Sequence, residues 1–375
     1  VFQTSSAVGV ALGDAFGKAF GDNVEGKIIT ALRRLGGDYI FDTNFGADLA
    51  IMEEASELLH RMDHKKELLP QFTSACPSWV EFTEIFFPEL IPHLSTGRSP
   101  SSMLSPMIKT YFAKRMHIDP SKLVIVSVTP CTAKKAEISR PEQNAAGRYW
   151  QQADMRDTDY CITTRELAGW IKEKKIDFDN LENAACDTIF GESSGGGELF
   201  GNSGGLMEAV LRTLVYLKTN KPAEDDFLHF EAVRGLEGVK EAAVTLDNDI
   251  IRVVAVSGLA NARRFINLME EKHSWKKYAL IEVMACPGGC IGGGGQPRTS
   301  LPLEIPAKRA RIEALYQLDA QKPIRASWEN KELQTLYAKF LGEPGSDLSE
   351  SLLHTQYINK HYLLGKEDKV HPVLK

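Results

Sequence analysis

Apolar residues recur at helical spacing from Val24 to Leu35, and the short run Tyr39–Asp42 reads as a strand. Asn44 is then the expected N-terminal cap of an amphipathic helix reaching about Met62. Gln71–Ala75 predicts a strand that stops at Cys76-Pro77. A helical stretch from about Ser102 to Met116 leads into Leu123–Val128, which is almost wholly apolar, as befits a parallel strand buried on both faces. Tyr160–Lys174 reads as a strand followed by a helix, and Leu206 to about Leu217 as another helix. Further strands are expected at Phe230–Val233, Glu241–Leu246, Ile250–Val256 and Leu280–Val283, with a helix at Leu259–Glu271. Beyond Leu301 the chain is helical and charged, ending in Lys369–Lys375. Repeated strand–helix units predict an α/β fold with largely parallel, twisted sheets flanked by helices.

Length changes that picture by making two lobes around a cleft the natural arrangement for 375 residues. The chain is 43% hydrophobic and 25% charged, a balance that supports a large core. A formal charge of −6, with acidic and basic residues interspersed, gives no sign of nucleic-acid binding. No apolar run approaches the ~18 residues of a membrane span. No basic region followed by an apolar stretch marks a signal peptide, so a cytoplasmic location is expected, although the missing initiator Met leaves room for an upstream segment.

Six cysteines in so long a chain do not make a disulfide framework. Cys76, Cys131 and Cys286 each follow a strand candidate at a turn, beside Pro77, Pro130 and Pro287. Ligands of α/β sheets bind beyond the carboxyl ends of strands, so three thiols delivered there can converge. Cys290 follows within Cys286-Pro-Gly-Gly-Cys290, where two glycines let backbone wrap closely. Thiolates favour zinc or iron–sulfur clusters. The spacings of 55, 155 and 4 lack the paired short intervals of structural zinc sites. Spacing alone leaves a single buried cubane and unrelated core cysteines both open. Cys161 and Cys186 lack such settings and read as structural thiols. The glycine-rich run Gly191–Gly205 lacks the Gly-Lys-Ser/Thr ending of a phosphate loop and reads as tight loop packing.

Three segments carry a family resemblance. Phe72-Thr-Ser-Ala-Cys-Pro-Ser-Trp79 is similar to TSCCPxW, Thr129-Pro-Cys-Thr-Ala-Lys-Lys-Ala-Glu137 to MPCxxKxxE, and Glu282-Val-Met-Ala-Cys-Pro-Gly-Gly-Cys to Gln296-Pro297 to ExMACxxGCxxGGGQP. In this order they resemble the catalytic domain of iron-only hydrogenases. Phe41–Asp48 with Met52–Glu57, Phe200–Glu208, and Tyr337 to His354 extend the likeness over nearly the whole chain. The resemblance implies an H-cluster domain over residues 1–300, with lobes at about 1–185 and 186–300, and a helical C-terminal extension, 301–375, wrapping them. It implies a four-iron, four-sulfur cubane held by Cys76, Cys131, Cys286 and Cys290. Cys290 bridges to a two-iron subsite carrying CO, cyanide and a dithiolate. Lys134 is expected to hydrogen-bond a cyanide, since an anionic acceptor makes that bond strong, and Met284 to pack beside the two-iron unit. The expected activity is reversible interconversion of H2 with protons and electrons. The implied partners are a ferredoxin-like carrier or a cluster-bearing subunit or domain, together with maturation proteins.

The resemblance also implies a proton path through Glu54, Glu57, Ser95 and Arg61. Glu54, Glu57 and Arg61 lie three and four residues apart, on one helical face. The family's path ends in a cysteine where this chain has Ala75, whose methyl neither donates nor accepts a proton. Thr129 replaces a methionine, and Ser6 stands where proline is common. These departures resemble sensory or slow members. A hydrogen or redox sensor, and an iron–sulfur assembly protein of the same superfamily, are the alternative functions.

Overall fold

The computed structural model describes residues 1–224, 230–246 and 249–365. Two four-stranded sheets organise them. In the first, strands β1 (Phe2–Thr4), β2 (Ile40–Asp42), β4 (Val126–Thr129) and β5 (Tyr160–Thr163) run in the order β2-β1-β4-β5, and every pairing is parallel. In the second, β3 (Gln71–Phe72), β6 (Val239–Leu246), β7 (Asp249–Ser257) and β8 (Leu280–Met284) run in the order β3-β8-β7-β6. Here β3 and β7 flank β8 in parallel, while β6 joins β7 antiparallel at the edge.

The fold is thus the expected α/β type, with three local corrections. Asp42 rather than Asn44 caps the long helix Thr43–His64: its carboxylate accepts the Asn44 N–H at 2.8 Å. Strand β2 runs straight into this helix, so the cap falls on the strand's last residue and frees Asn44 to point elsewhere. Glu231–Val233 forms a 3-10 turn instead of a strand. The expected lobe boundary near residue 185 also does not follow the sheets, because β3 hydrogen-bonds to β8 with Gln71 opposite Leu280. The charged end Lys369–Lys375 lies outside the described residues.

The helices Thr43–His64, Pro100–Met107 and Gly205–Thr219 fill the middle layer, where Phe41, Phe45, Leu104, Phe112, Leu211 and Val253 share one core. A second core, around Phe72, Trp79, Phe265 and Trp275, packs helices on the other side of the second sheet. A third, around Phe2, Leu12, Ile28 and Leu167, does the same for the first. Burying both faces of the second sheet explains why β8 is apolar except for Glu282.

The C-terminal segment is tied down by buried polar groups. Asp319, in the helix Leu301–Gln321, pairs with Arg212 at 2.8 Å. Ser327 and Asn330 both reach Asp48 of the long helix, at 2.8 and 3.1 Å. Further on, backbone N–H of Arg98 donates to Leu353 and that of Thr355 donates to Thr96, stitching the two stretches together.

Arg98 itself forms an ion pair with Asp157 at 2.7 Å, both side chains fully buried. Asp157 also accepts the N–H groups of Ala145 and Ala146. Asp157→Ala leaves a buried guanidinium without its countercharge and is expected to cost ~3–5 kcal/mol of stability. Chemical denaturation of the two proteins measures this, and a loss of a few tenths would show that the site relaxes to admit water.

Candidate iron–sulfur site

The four predicted thiols meet where the carboxyl ends of β3, β4 and β8 approach one another. Cys76 stands at the N-terminus of the helix Pro77–Phe86, and its sulfur accepts the Ala285 N–H at 3.4 Å. Cys131 follows β4 by two residues, Cys286 follows β8 by two, and Cys290 opens the turn Cys290–Gly292. The loop after β8 is fastened to the first sheet, because Gly295 N–H donates to the Pro130 carbonyl at 2.8 Å. Glycine is required for that approach: a Cβ on Gly293 would lie 2.3 Å from the Pro130 oxygen. Gly289 has φ +96°, and a Cβ there would meet the Ser203 nitrogen at 2.6 Å.

Burial pushes the Cys76 thiol up to about 11, and the neighbouring Cys131 and Cys286 add to it. Burial likewise raises Cys290, reinforced by Cys131, Cys76 and Cys286 in that order. Cys76 and Cys290 thus lie close enough to Cys131 and Cys286 for these neighbours to oppose their ionisation. Among the described residues, no group of three or more His, Cys, Asp or Glu closes around a single ion. The ligands of a cubane stand farther apart than that, since each meets a different iron. A set of four thiols is also the soft donor set such clusters use.

Beside Cys131 and Cys290 lies a cavity with about 70 Å³ of room for water-sized groups. Ala75, Thr129, Lys134, Asn44, Ser6 and Phe200 contribute to its walls. The Lys134 ammonium forms an ion pair with Glu137 at 2.7 Å. Burial alone would lower its proton affinity, but Glu137, then Cys131 and Cys290, overcome this and hold it charged. Thr129 donates its hydroxyl to the Cys131 carbonyl at 3.1 Å, so it braces the ligand turn. Cys161 lies behind it, 3.6 Å away, while Cys186 is half-buried near Asp42 and Glu25. Met284 is buried at the end of β8 but does not line the cavity. The thiols, the lysine and the adjoining space thus fit a cubane with a smaller group next to it.

The residues expected to carry protons form a row leading away from the cavity. Arg61 donates to Glu57 at 2.6 Å, and Ser95 donates to the other Glu57 oxygen at 2.8 Å. Glu54 is fully buried, and no well-formed hydrogen bond reaches either of its oxygens. Its side chain lies close to Gly97, where Ser95 Oγ also approaches. Burial, with Glu57 nearby, pushes Glu54 up to about 8, the Ser74 N–H opposing this only in part. At the cavity end, Ala75 presents its methyl group. Reasoning from sequence missed Phe200 and Asn44 as cavity walls and Thr96 and His354 near Glu57, since only tertiary contacts bring them there.

Fold and site together define an α/β protein that gathers four thiols in one cleft between two sheets. Residues 1–294 match the family model described as iron only hydrogenase large subunit, C-terminal domain, and residues 305–360 match that of the iron hydrogenase small subunit. The chain belongs to the iron-only hydrogenase family. It is 46% identical over 371 residues to the NADP-reducing hydrogenase subunit HndD of Solidesulfovibrio fructosivorans, covering 97% of this chain and 60% of that protein. A solved structure of FeFe-hydrogenase HydA1 from Chlamydomonas reinhardtii superposes with a TM-score of 0.81 at 38% identity, covering 96% of this chain and 93% of the other. At greater distance, cytosolic iron-sulfur assembly component 3 of Bos taurus is 31% identical over 346 residues, 88% of this chain and 68% of that protein. The chain thus spans about 60% of the length of HndD. No helix among the described residues is long and apolar enough to cross a membrane.

Because its proton affinity is raised, Glu54 is expected to carry a proton at neutral pH and to lose it as pH rises through about 8. Infrared difference spectra should show a carboxylic-acid band that disappears over that range and is missing in Glu54→Gln. A Glu54 that is ionised throughout the neutral range would contradict the dry environment described.

Proposed function

We propose that the chain interconverts H2 with two protons and two electrons at an H-cluster. The observation that carries this reading is the convergence of four thiols on one cleft, beside a cavity walled by Lys134. Cys76, Cys131, Cys286 and Cys290 would hold the cubane, and Cys290, which lines the cavity with Cys131, would link it to the two-iron unit. When bound, the two-iron unit provides the centre at which hydrogen is split or formed. Lys134 would give an anionic ligand there a charge-assisted hydrogen bond.

Glu54 holds a proton at the inner end of the path, while Ser95, Glu57 and Arg61 form the outer part. Ala75 leaves a gap between Glu54 and the cavity. Thr129 does not close it, because its hydroxyl is engaged by the Cys131 backbone. Slow turnover follows, since each ~1.4 kcal/mol added to the barrier costs tenfold in rate. The same two departures favour a second reading, in which the cluster senses hydrogen or redox state for a partner. An assembly role is less favoured, because Lys134, Glu137 and the glycine-rich loop to Gln296-Pro297 are all retained. Electrons pass through a ferredoxin-like carrier or a cluster-bearing partner, and maturation proteins deliver the two-iron unit.

Infrared bands of CO and cyanide after maturation test the cofactor. Cys290→Ser is expected to abolish those bands and the activity, while Cys161→Ser leaves both nearly unchanged. Equal losses at both positions would sink the ligand assignment.

Ala75→Cys should raise H2 production and make it depend more strongly on Glu54, as read by adding Glu54→Ala. With matched cluster loading, no gain in the single variant would show that the missing thiol is not the bottleneck.

A further inference from the structure

The outer end of the carboxylate row meets the C-terminal segment at one side chain. His354 follows the helix Asp347–Leu353, and its backbone bridges antiparallel to Gly97, two residues beyond Ser95. Its carbonyl accepts the Arg98 guanidinium at 2.9 Å, which fixes the backbone in place. The imidazole Nδ1 lies 2.7 Å from the Thr96 hydroxyl, and Nε2 lies 3.0 Å from Glu53. Thr96 in turn touches Glu57: its N–H donates to Oε2 at 3.1 Å, and its hydroxyl stands 3.5 Å from Oε1. The Thr96 hydroxyl therefore lies between the imidazole and the carboxylate that begins the inward row.

We propose that His354 is the outer proton-exchanging residue of the path, passing protons to Glu57 through the Thr96 hydroxyl. This rests on the reading of Glu57 as part of a proton path. The step balances without any other reactant. Nδ1–H of the imidazolium passes to Thr96 Oγ as the Thr96 O–H proton passes to Glu57. His354 is left neutral, and the Glu57 carboxylate becomes a carboxylic acid. In the neutral imidazole, Nε2–H donates to Glu53 and Nδ1 accepts from Thr96. Protonation at Nδ1 reverses that second bond and turns the hydroxyl toward Glu57.

The surroundings suit a group that cycles between these two states. Glu53 is held by the Tyr337 hydroxyl at 2.6 Å, the Ser349 hydroxyl and the Gly345 N–H, so it offers a fixed acceptor. From the long helix Glu53 and Glu57 face the ring, and from the helix Asp347–Leu353 Glu350 does. Of the cations nearby, Arg98 is committed to Asp157, Arg148 to Asn144 and Arg61 to Glu57. Glu142 and Arg148 border one surface depression with His354, and His60 and Arg61 border another. Burial alone would lower the imidazole's proton affinity, but Glu53, then Glu57 and Glu350, hold it above the ordinary value of 6.5. The charged form is thus kept at low pH and lost as pH rises through the raised value. His354 reaches solvent at both depressions and Glu57 at one of them, whereas Glu54 and Ser95 are fully buried.

Two measurements on the full chain decide the matter. Nitrogen-15 NMR should show the His354 ring titrating above pH 6.5, with the neutral tautomer protonated at Nε2. Glu57→Gln should lower that midpoint. Hydrogen turnover is then compared in the native chain and in Ala75→Cys, so that the inner gap does not mask the outer step. In Ala75→Cys, His354→Gln and Thr96→Val should each slow turnover about tenfold or more above neutral pH. Thr96→Ser should restore the rate, and free imidazole should recover part of the His354→Gln loss. A ring that titrates at its ordinary value without responding to Glu57→Gln overturns the proposal. So does an unchanged pH profile for His354→Gln in Ala75→Cys. If the ring responds to Glu57 but neither background turns over hydrogen, the hydrogenase reading fails and the relay with it, leaving only the electrostatic coupling.

Discussion

Half-buried thiols crowded into one cleft can exist together as thiolates only around a positively charged core. Burial and mutual proximity raise Cys76, Cys286 and Cys290 alike. Most of the architecture serves to bring these groups together regardless. Two sheets aim their strand ends at one cleft, and a glycine-rich loop lets the backbone of one sheet press on the other. Metal binding at such a site would be linked to ionisation of the thiols, as holds for thiolate sites in general.

Much of the fold was legible because burial leaves a periodic trace. The helix Leu259–Glu271 and the parallel strand ending at Thr129 follow directly from apolar spacing. Where the trace is short it misleads. The short run Phe230–Val233 ends in a 3-10 turn at Glu231–Val233, and the cap at Asp42 was hidden by the strand it terminates. Strand β3 contains two residues, too few to announce that they pair with a strand more than two hundred positions away. At the site, the cysteines were visible because proline and glycine mark their turns. Thr96 and His354 were not, since nothing local distinguishes a serviceable hydroxyl or imidazole from a solvated one.

The long helix Thr43–His64 shows how one element sustains four chemically different carboxylates. Asp48 is saturated by Ser194, Ser327 and Asn330 and acts as a structural peg. Glu53 is clasped by groups from the C-terminal segment. Glu54, the next residue, faces the dry interior and keeps its proton, while Glu57 is pinned by Arg61 and Ser95. Sequence spacing places them on the helix, but their neighbours decide what each one does.

The clasp on Glu53 has a meaning for how the protein is assembled. Residues 305–360 resemble a small subunit, and from this stretch Tyr337, Ser349 and His354 all converge on a single carboxylate belonging to residues 1–294. Were these two pieces separate polypeptides, a buried charge would wait for a partner arriving by diffusion, and assembly would depend on how much of each was present. A covalent connection replaces that search with a local concentration on the order of millimolar. The helix Leu301–Gln321 therefore serves as a leash as much as a scaffold, since it makes completion of the clasp independent of how dilute the protein becomes.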